Sequence, residues 1–446
     1  MRSGAASRSG VQKLWRAVSA ICIQEKLRTG SARRSLESRA DNSVETTGNI
    51  SGSLAACWIG RLRCGSTGGQ IAKKSSRAAK DKDLKDLNAT FADLPAPELE
   101  WEEMAEAPVP RLDGSAIQIK NLLYVFAGYG NINYVHSHVD MYDFIGNTWV
   151  GRFDMPKEMA HSHLGMATDG RYIYIVTGQH GPQCRGPTAR NFVLDTETKN
   201  WHDLPPLPFP RYAPATQLWR GRLHVMGGSK EDRHEPALEH WSLPVMDGKA
   251  LEQEWHTEVP IPRGGPHRSG DHKIVVRCPV VGALEEDQIT GRLDFSEADV
   301  DVDHGVVYGD VYMLDDGLKW KNLPPMPKPD SHIEFAWKVV NNSVIIAGGT
   351  TEKHPVSKKM VLVGEVFQFN LGTLRLRNTD VLEAESVLRN MQEWSVIGRL
   401  PFRIKTTLVG FWDGWLYFTS GQRDKGPGDP SPKKVVGCMW RTKLRL

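Results

Sequence analysis

The sequence predicts an all-β fold in which one four-stranded unit is repeated six times. A proline-bearing turn follows each of six regularly placed tryptophans, and most units then contain an apolar strand that ends on glycine. Separations of 48, 52, 54, 65 and 74 residues divide Trp101, Trp149, Trp201, Trp255, Trp320 and Trp394. Four short strands cannot bury both faces of their sheet alone, so such units stack in a ring. We therefore expect a single six-bladed β-propeller over residues 97–446.

The fifth unit, residues 320–370, shows the order of elements most completely. Trp320 and the segment LPPMPKP give the tryptophan and its turn, and apolar runs follow on both sides of Asn341-Asn342. The second run ends in Gly348-Gly349, and a third run, VGEVFQFN, carries aromatic residues. Short apolar runs separated by turn residues are typical of β-hairpins, so this unit predicts one blade.

The second strand has the same form in five units. We expect it to end on glycine because the chain turns away near the crowded centre of the ring, where a Cβ atom would not fit. These strands are Leu122–Gly128, Tyr172–Gly178, Arg222–Gly228, Ser343–Gly349 and Trp415–Gly421.

Ring closure follows from the points at which the repeat begins and ends. The repeat starts with a fourth strand, Glu98–Met104 around Trp101, and it ends on a third strand near Met439–Lys443. We expect the N-terminal strand to complete the last blade, because this pairing removes the free sheet edges.

The repeated features together resemble a known family. A blade-end glycine, a third strand such as VDMYDF and the next tryptophan recur in that order, as in the kelch repeat, over residues 98–446. The segments SHIEFAW, VNNS, GGTT, VIGRLP and FTSGQRD are similar to a group of plant kelch proteins associated with the Golgi. The resemblance implies a galactose oxidase-like propeller and a place in the secretory pathway. That group usually carries a signal-anchor, whereas no apolar run here approaches the roughly 18 residues of a membrane span.

Two segments depart from the repeat. Residues 267–308 lack the expected second strand of blade 4, and Asp299, Asp301 and Asp303 resemble the start of an EF-hand loop. His304 stands where that loop requires glycine, so no calcium site is expected. Residues 375–393 form an insertion whose apolar residues have helical spacing, which predicts a short surface helix. Errors in the assembly of the coding sequence are the alternative for both segments.

Residues 1–95 form a basic, low-complexity leader. Lys and Arg outnumber Asp and Glu by 17 to 6 in residues 1–85, so the net charge of +3 leaves 3 − 11 = −8 for the remainder. This composition predicts a largely disordered segment or an organellar targeting segment. The compartment therefore stays open between plastid, mitochondrion, cytoplasm and Golgi. The acidic remainder argues against a nucleic-acid partner.

The candidate ligand-binding residues lie on the loops that join strand four to strand one and strand two to strand three. Both sets of loops emerge on one face of a propeller, and basic residues there favour an anion, an acidic peptide or a charged sugar. Polar loop tips and arginines that only cap a blade are the alternative interpretation. The candidates are Arg111, His163, His180, Arg185, Arg211, Arg233, Arg263, His267, His332, Glu334, His354 and Arg423.

The sequence gives less support to an enzymatic function. No spacing singles out the copper ligands of galactose oxidase, and the iron motif of the kelch specifier proteins fails because Gly305 stands where it needs histidine. We expect no catalytic residue, metal or cofactor. Sialic-acid mutarotases also use kelch propellers with arginine and glutamate in the channel, and Arg211, Arg263 and Glu334 match that pattern.

The sequence thus predicts a non-catalytic scaffold whose loop face binds a protein partner or an acidic peptide. A glycan-binding or mutarotase-like propeller is the alternative function.

Overall fold

A computed structural model describes most of the predicted propeller. It covers residues 93–131, 133–181, 185–230, 237–262, 273–276, 292–295, 307, 309–315, 317–354, 359–371, 393–426, 428–429 and 431–446. All of them belong to one compact unit, Ala72–Leu446. The predicted helix within residues 375–393 and all but the end of the leader lie outside the described residues.

The described chain forms six sheets of four main strands, which we number as blades 1 to 6 in chain order. The prediction of an all-β, six-bladed propeller is confirmed. From the innermost strand outward, blade 1 has Ser115–Ile119, Leu122–Phe126, His138–Asp143 and Thr148–Asp154; blade 2 has Gly165–Thr168, Tyr172–Val176, Asn191–Asp195 and Trp201–Leu204; blade 3 has Ala215–Trp219, Arg222–Met226, His240–Met246 and His256–Thr257.

The remaining blades follow the same plan. Blade 4 has Arg292–Phe295, Lys273–Val276, Val311–Leu314 and Trp320–Leu323; blade 5 has Trp337–Val340, Ser343–Lys353, Met360–Asn370 and Trp394–Arg399; blade 6 has Leu408–Trp412, Trp415–Thr419, Met439–Lys443 and Glu102–Met104.

Shorter strands and a 3-10 helix lie beside the main strands of the blades. These are the strands Tyr129–Asn131, Tyr134–Val135, Gln179–Gly181, Arg185–Pro187, Lys249–Ala250, Ile404–Lys405, Gln422–Arg423 and Lys434–Val435, and the 3-10 helix Lys157–Met159. Within the described residues, no helix has the length and apolar character to span a membrane.

The second strand of each regular blade is largely buried and mostly apolar because its two sides face two different neighbours. In blade 1, Leu123 and Val125 pack toward blade 6, whereas Tyr124 and Phe126 pack toward blade 2. Successive side chains of a strand point to opposite faces, so a sheet covered on both sides needs an uninterrupted apolar run. Each pair of neighbouring blades encloses one such core cluster in the described part of the chain.

The glycines that end these strands are required by the backbone, as predicted. Gly128 and Gly421 have φ angles of 77° and 99°. A Cβ on Gly128 would lie 2.6 Å from Gly114 Cα, and one on Gly421 would lie 2.5 Å from Lys405 O. The loop that enters the innermost strand therefore approaches the end of the second strand too closely for any side chain.

The two ends of the propeller pair with each other, which confirms the predicted closure. Glu102–Met104 runs antiparallel to Met439–Lys443, with Glu103 opposite Trp440. Trp101 packs edge-on against Phe418 of blade 6, with ring centroids 5.2 Å apart. This outer strand is shorter than the predicted Glu98–Met104, but it completes the sheet of blade 6.

Four of the six repeated tryptophans join their blade to the one before it. The indole Nε1 of Trp101 donates to Arg399 O at 2.7 Å, at the end of the outer strand of blade 5. The equivalent bonds run from Trp149 to Ala105 O, from Trp255 to Pro205 O and from Trp394 to Pro324 O. The residue that marks the repeat in the sequence thus also links consecutive blades at their outer edges.

Blade 4 has an exchanged strand order. Lys273–Val276 comes first in the chain but takes the second position, where it pairs in parallel with Val311–Leu314. Arg292–Phe295 takes the innermost position and contacts the innermost strand of blade 3. The sequence between these strands contains no apolar strand that ends in Gly-Gly. The rest of residues 267–308 lies outside the described part apart from Val307.

Candidate functional site

A ring of left-handed residues surrounds the mouth of the central channel on the loop face. One residue in each described entry loop has a positive φ angle although it is not glycine: Asp113 (51°), His163 (53°), Ala213 (48°), His332 (58°) and Thr406 (48°). Such conformations cost free energy and persist only where the surroundings enforce them. The mouth is therefore a constrained part of the fold.

Backbone hydrogen bonds connect these residues from blade to blade. Thr406 N donates to His332 O at 2.9 Å, His163 N to Asp113 O at 3.2 Å, and Ala213 N to His163 O at 2.9 Å. Asp113 N reaches Thr406 Oγ1 at 3.5 Å, across the junction of blades 6 and 1. In Asp113, His163, Ala213 and Thr406 the left-handed conformation turns the N–H toward the preceding blade, which explains why this position repeats.

A small pocket opens inside this ring. Its volume of about 10 Å³ is comparable to the space that one water molecule needs. It is lined by Asp113, Gly114, His163, Glu334, Phe335, Thr406, Thr407 and Leu408.

Phe335 is one of the residues that line the pocket. It belongs to blade 5, yet it packs against the core between blades 1 and 2 and against the core between blades 6 and 1. A turn closed by the bond from Ala336 N to Ile333 O, 3.0 Å long, precedes the innermost strand of blade 5 and directs Phe335 inward. Ligands at this face therefore meet a shallow mouth.

Asp113 is the most unusual polar residue of the pocket. Its side chain is 7% exposed, and its Oδ2 lies 3.5 Å from Nε2 of His163. Its Oδ1 is buried without a hydrogen-bond partner in the described structure. His163 Nδ1 in turn lies 2.9 Å from Ser162 Oγ. The same contact recurs between Ser331 Oγ and His332 Nδ1 at 2.9 Å, so it belongs to the entry loop rather than to one blade.

Two of the candidate arginines lie inside the propeller. Arg111 donates to Ala127 O and, at 2.5 Å, to Asp140 of its own blade. Burial of Asp140 favours its neutral form and acts to raise its pKa. Hydrogen bonds from Arg152 and Arg111 outweigh burial and hold the pKa of this carboxyl below its usual value. Arg211 pairs with Glu239 at 2.7 Å. Each side chain is 1% exposed; Arg111 ties its entry loop to the third strand of blade 1, and Arg211 ties its entry loop to the residue that precedes the third strand of blade 3.

The other described candidates lie around the mouth. His180 and Arg185 are exposed on the hairpin of blade 2, and His332 lies half-buried with its Nδ1 3.0 Å from Thr350 Oγ1. His354 is half-buried at the end of the long hairpin of blade 5. Arg423 stacks on Phe402 at 3.7 Å. Arg233, Arg263 and His267 lie outside the described residues.

Lysines add to the positive charge of these outer loops. The pKa of Lys433 lies below its usual value. The larger cause is a side-chain contact with Lys359, and the second is charge repulsion from the same residue. Lys359 ends the hairpin of blade 5, and Lys433 lies on a loop of blade 6, where Lys425 also adds repulsion. Like charges gathered in this way attract anionic groups.

The charge distribution of the loop face therefore differs from the uniformly positive face that the basic candidate residues predict. Positive side chains are on the outer loops, whereas Asp113 and Glu334 stand at the mouth, and Arg111 and Arg211 are matched by buried or half-buried carboxylates. Sequence reasoning named His163 and Glu334 but missed Asp113, Thr406 and Phe335. Sequence position could have identified Asp113 and Thr406, because both occupy the same place in their entry loops as His163.

Comparison with known proteins identifies the repeat. Residues 110–150 match the family model described as the Kelch motif. A kelch repeat-containing protein of Arabidopsis thaliana is 57% identical over 380 residues, which cover 84% of each chain. The chain belongs to the kelch-repeat family.

More distant kelch proteins match parts of this kelch chain. Alpha-scruin of Limulus polyphemus is 25% identical over 36% of the chain and 18% of its own length. The human kelch repeat and BTB domain-containing protein 13 is 31% identical over 22% of each chain. The solved structure of YjhT superposes with a TM-score of 0.52 and 15% identity, over 75% of this chain and 96% of its own. At that identity the last match supports the shared fold alone.

Proposed function

We propose that this kelch propeller is a non-catalytic interaction module whose loop face binds an acidic surface of a protein partner. Kelch repeats generally act in protein–protein interaction. The observation that carries the proposal is the placement of exposed basic side chains on loops of several blades around a shallow mouth. Charge arranged in this way steers an oppositely charged partner and fixes its orientation.

The shallow mouth favours a broad partner over a small enclosed substrate. Small-molecule sites usually bury most of their ligand in a pocket of roughly 300 Å³ or more. The pocket here holds about 10 Å³ beside Phe335. Glycan binding and mutarotase activity stay predictions, and no contact of the described residues favours them over a protein partner.

Charge reversal on the two faces tests the proposal. The partner is first isolated by proximity labelling of the full chain, and its affinity is then measured at two salt concentrations. The double variant Arg185→Glu/Lys425→Glu changes exposed loop-face residues, whereas Lys120→Glu/Lys249→Glu makes the same charge change on turns of the opposite face. We expect the first variant to weaken binding about tenfold or more and to reduce its salt dependence. Equal effects of the two variants would contradict the proposal.

A further inference from the structure

The mouth pocket combines negative charge with a very small volume. Asp113 and Glu334 bring two carboxylates to its wall, and His163 is the one described basic side chain that lines it. The described residues form no group of three metal-binding side chains there or elsewhere. The pocket therefore suits a cation that protein oxygens can hold by hydrogen bonds.

Asp113 supplies the decisive observation. A buried carboxylate oxygen without a hydrogen-bond partner is unfavourable, because it has lost its contact with water. Oδ1 of Asp113 is in this state within the described structure, although Thr406 Oγ1 and His163 Nε2 lie close to other atoms of the same residue. Because Asp113 lines the pocket, its carboxylate can accept a hydrogen bond from a donor placed there.

The size and lining of the pocket select the kind of donor. An ammonium group is close to the size of a water molecule, for which about 10 Å³ is enough, whereas a planar guanidinium is larger. Phe335, Leu408 and the methyl groups of Thr406 and Thr407 can contact an aliphatic stem.

We propose that the mouth pocket binds a lysine side chain of the protein partner, with the ammonium group donating to the carboxylate of Asp113. This inference rests on the proposed function and names one anchor of the same interface. The outer lysines and arginines would face acidic residues of the partner, while its lysine enters the acidic centre. Opposite charges at centre and periphery would fix the orientation of the partner.

The test uses small lysine probes and the full chain. Binding of Nα-acetyl-lysine methylamide is measured by saturation-transfer NMR titration, beside its Nε-acetylated form and the arginine analogue. We expect the lysine probe to bind, and acetylation or the arginine head group to weaken binding at least about tenfold, because a charge-assisted hydrogen bond is lost or misplaced. Equal binding of the lysine and Nε-acetyl-lysine probes to the wild-type protein overturns the proposal without any variant.

Two matched variants locate the site. Asp113→Asn removes the charge, and asparagine tolerates the φ of 51° at this position, so the variant should fold. Asp413→Asn makes the same change on the opposite face, where the side chain is 84% exposed. The first should weaken probe binding about tenfold or more, and the second should leave it unchanged. Equal effects, or displacement of the probe by potassium ions at the same concentration, would show that the pocket is not a lysine site.

The outcomes separate this inference from the proposed function. If the lysine probe fails to bind while Arg185→Glu/Lys425→Glu still weakens partner binding, only the lysine site is wrong. If the probe binds but the loop-face variant leaves the partner unaffected, the proposed interface is wrong.

Discussion

Replacing Trp101 by alanine should loosen the point at which the propeller closes. The change removes a partly buried indole, its edge-on contact with Phe418 and its 2.7 Å hydrogen bond to Arg399 O. Replacing a fully buried tryptophan by alanine costs about 3–5 kcal/mol, and the cost is lower for the partly exposed Trp101. A lost hydrogen bond adds about 1 kcal/mol. We therefore expect the free energy of unfolding to fall by about 3 kcal/mol.

Equilibrium urea unfolding and amide hydrogen exchange measure this effect. Trp394→Ala is the matched control, because Trp394 occupies the same place in blade 5, stacks on Phe369 at 4.8 Å and donates to Pro324 O at 2.8 Å. Both variants should lose similar stability. Only Trp101→Ala should release Glu102–Met104 and Met439–Lys443 together, since these strands pair with each other. Unchanged protection of both strands in a destabilised Trp101→Ala protein would refute the reasoning.

The remaining predictions concern buried charge. Burial lowers the pKa of His161 to about 4 and that of His224 to about 3, so the unfolded chain binds more protons than the folded one below its own histidine pKa near 6.5. Stability should fall by about 3 kcal/mol as the pH drops from 6.5 to 5, and His161→Gln should flatten this slope in urea titrations; a pH-independent unfolding free energy over that interval would contradict the assignment. Lys328 and Glu365 form a buried ion pair 2.5 Å long. Glu365→Gln should therefore cost about 3–5 kcal/mol in unfolding experiments. Lys328→Met/Glu365→Gln removes the ammonium group but keeps an acceptor for Leu94 N, so it should cost much less; equal losses would show that the unpaired ammonium is not the cause.

The sequence predicts the architecture well because the repeat carries its own physical signals. Trp101 and Trp394 mark equivalent outer strands, and Gly128 and Gly421 occupy positions that admit no Cβ atom. The apolar second strands indicate sheets that are covered on both faces. These features act locally, so they are visible before the fold is known.

The arrangement of residues at the mouth of the channel has no such local signal and could not be predicted from the sequence. The left-handed conformation of Asp113 is enforced by hydrogen bonds between blades, and nothing in its own sequence requires it. Phe335 reads as part of an apolar strand, and only the turn before Trp337 directs it toward distant blades.

The orientation of the candidate arginines also depends on distant residues. Arg111 turns inward because Asp140 stands opposite it, 29 residues later in the chain, where the acidic residue looks like an ordinary polar position of a strand. Sequence reasoning could recognise that arginines recur after proline, but it could not tell a buried ion pair from an exposed binding residue. The exchanged order of strands in blade 4 likewise has no local signal beyond the missing Gly-Gly.

Site-directed photo-crosslinking tests the central claim, that the loop face binds the partner, most directly. A photo-reactive amino acid replaces exposed His180 on the loop face or exposed Lys249 on the opposite face, and each protein is irradiated with the isolated partner. Crosslinks should form from position 180 and be absent from position 249. Crosslinks from position 249 alone would show that the partner binds the other end of the propeller.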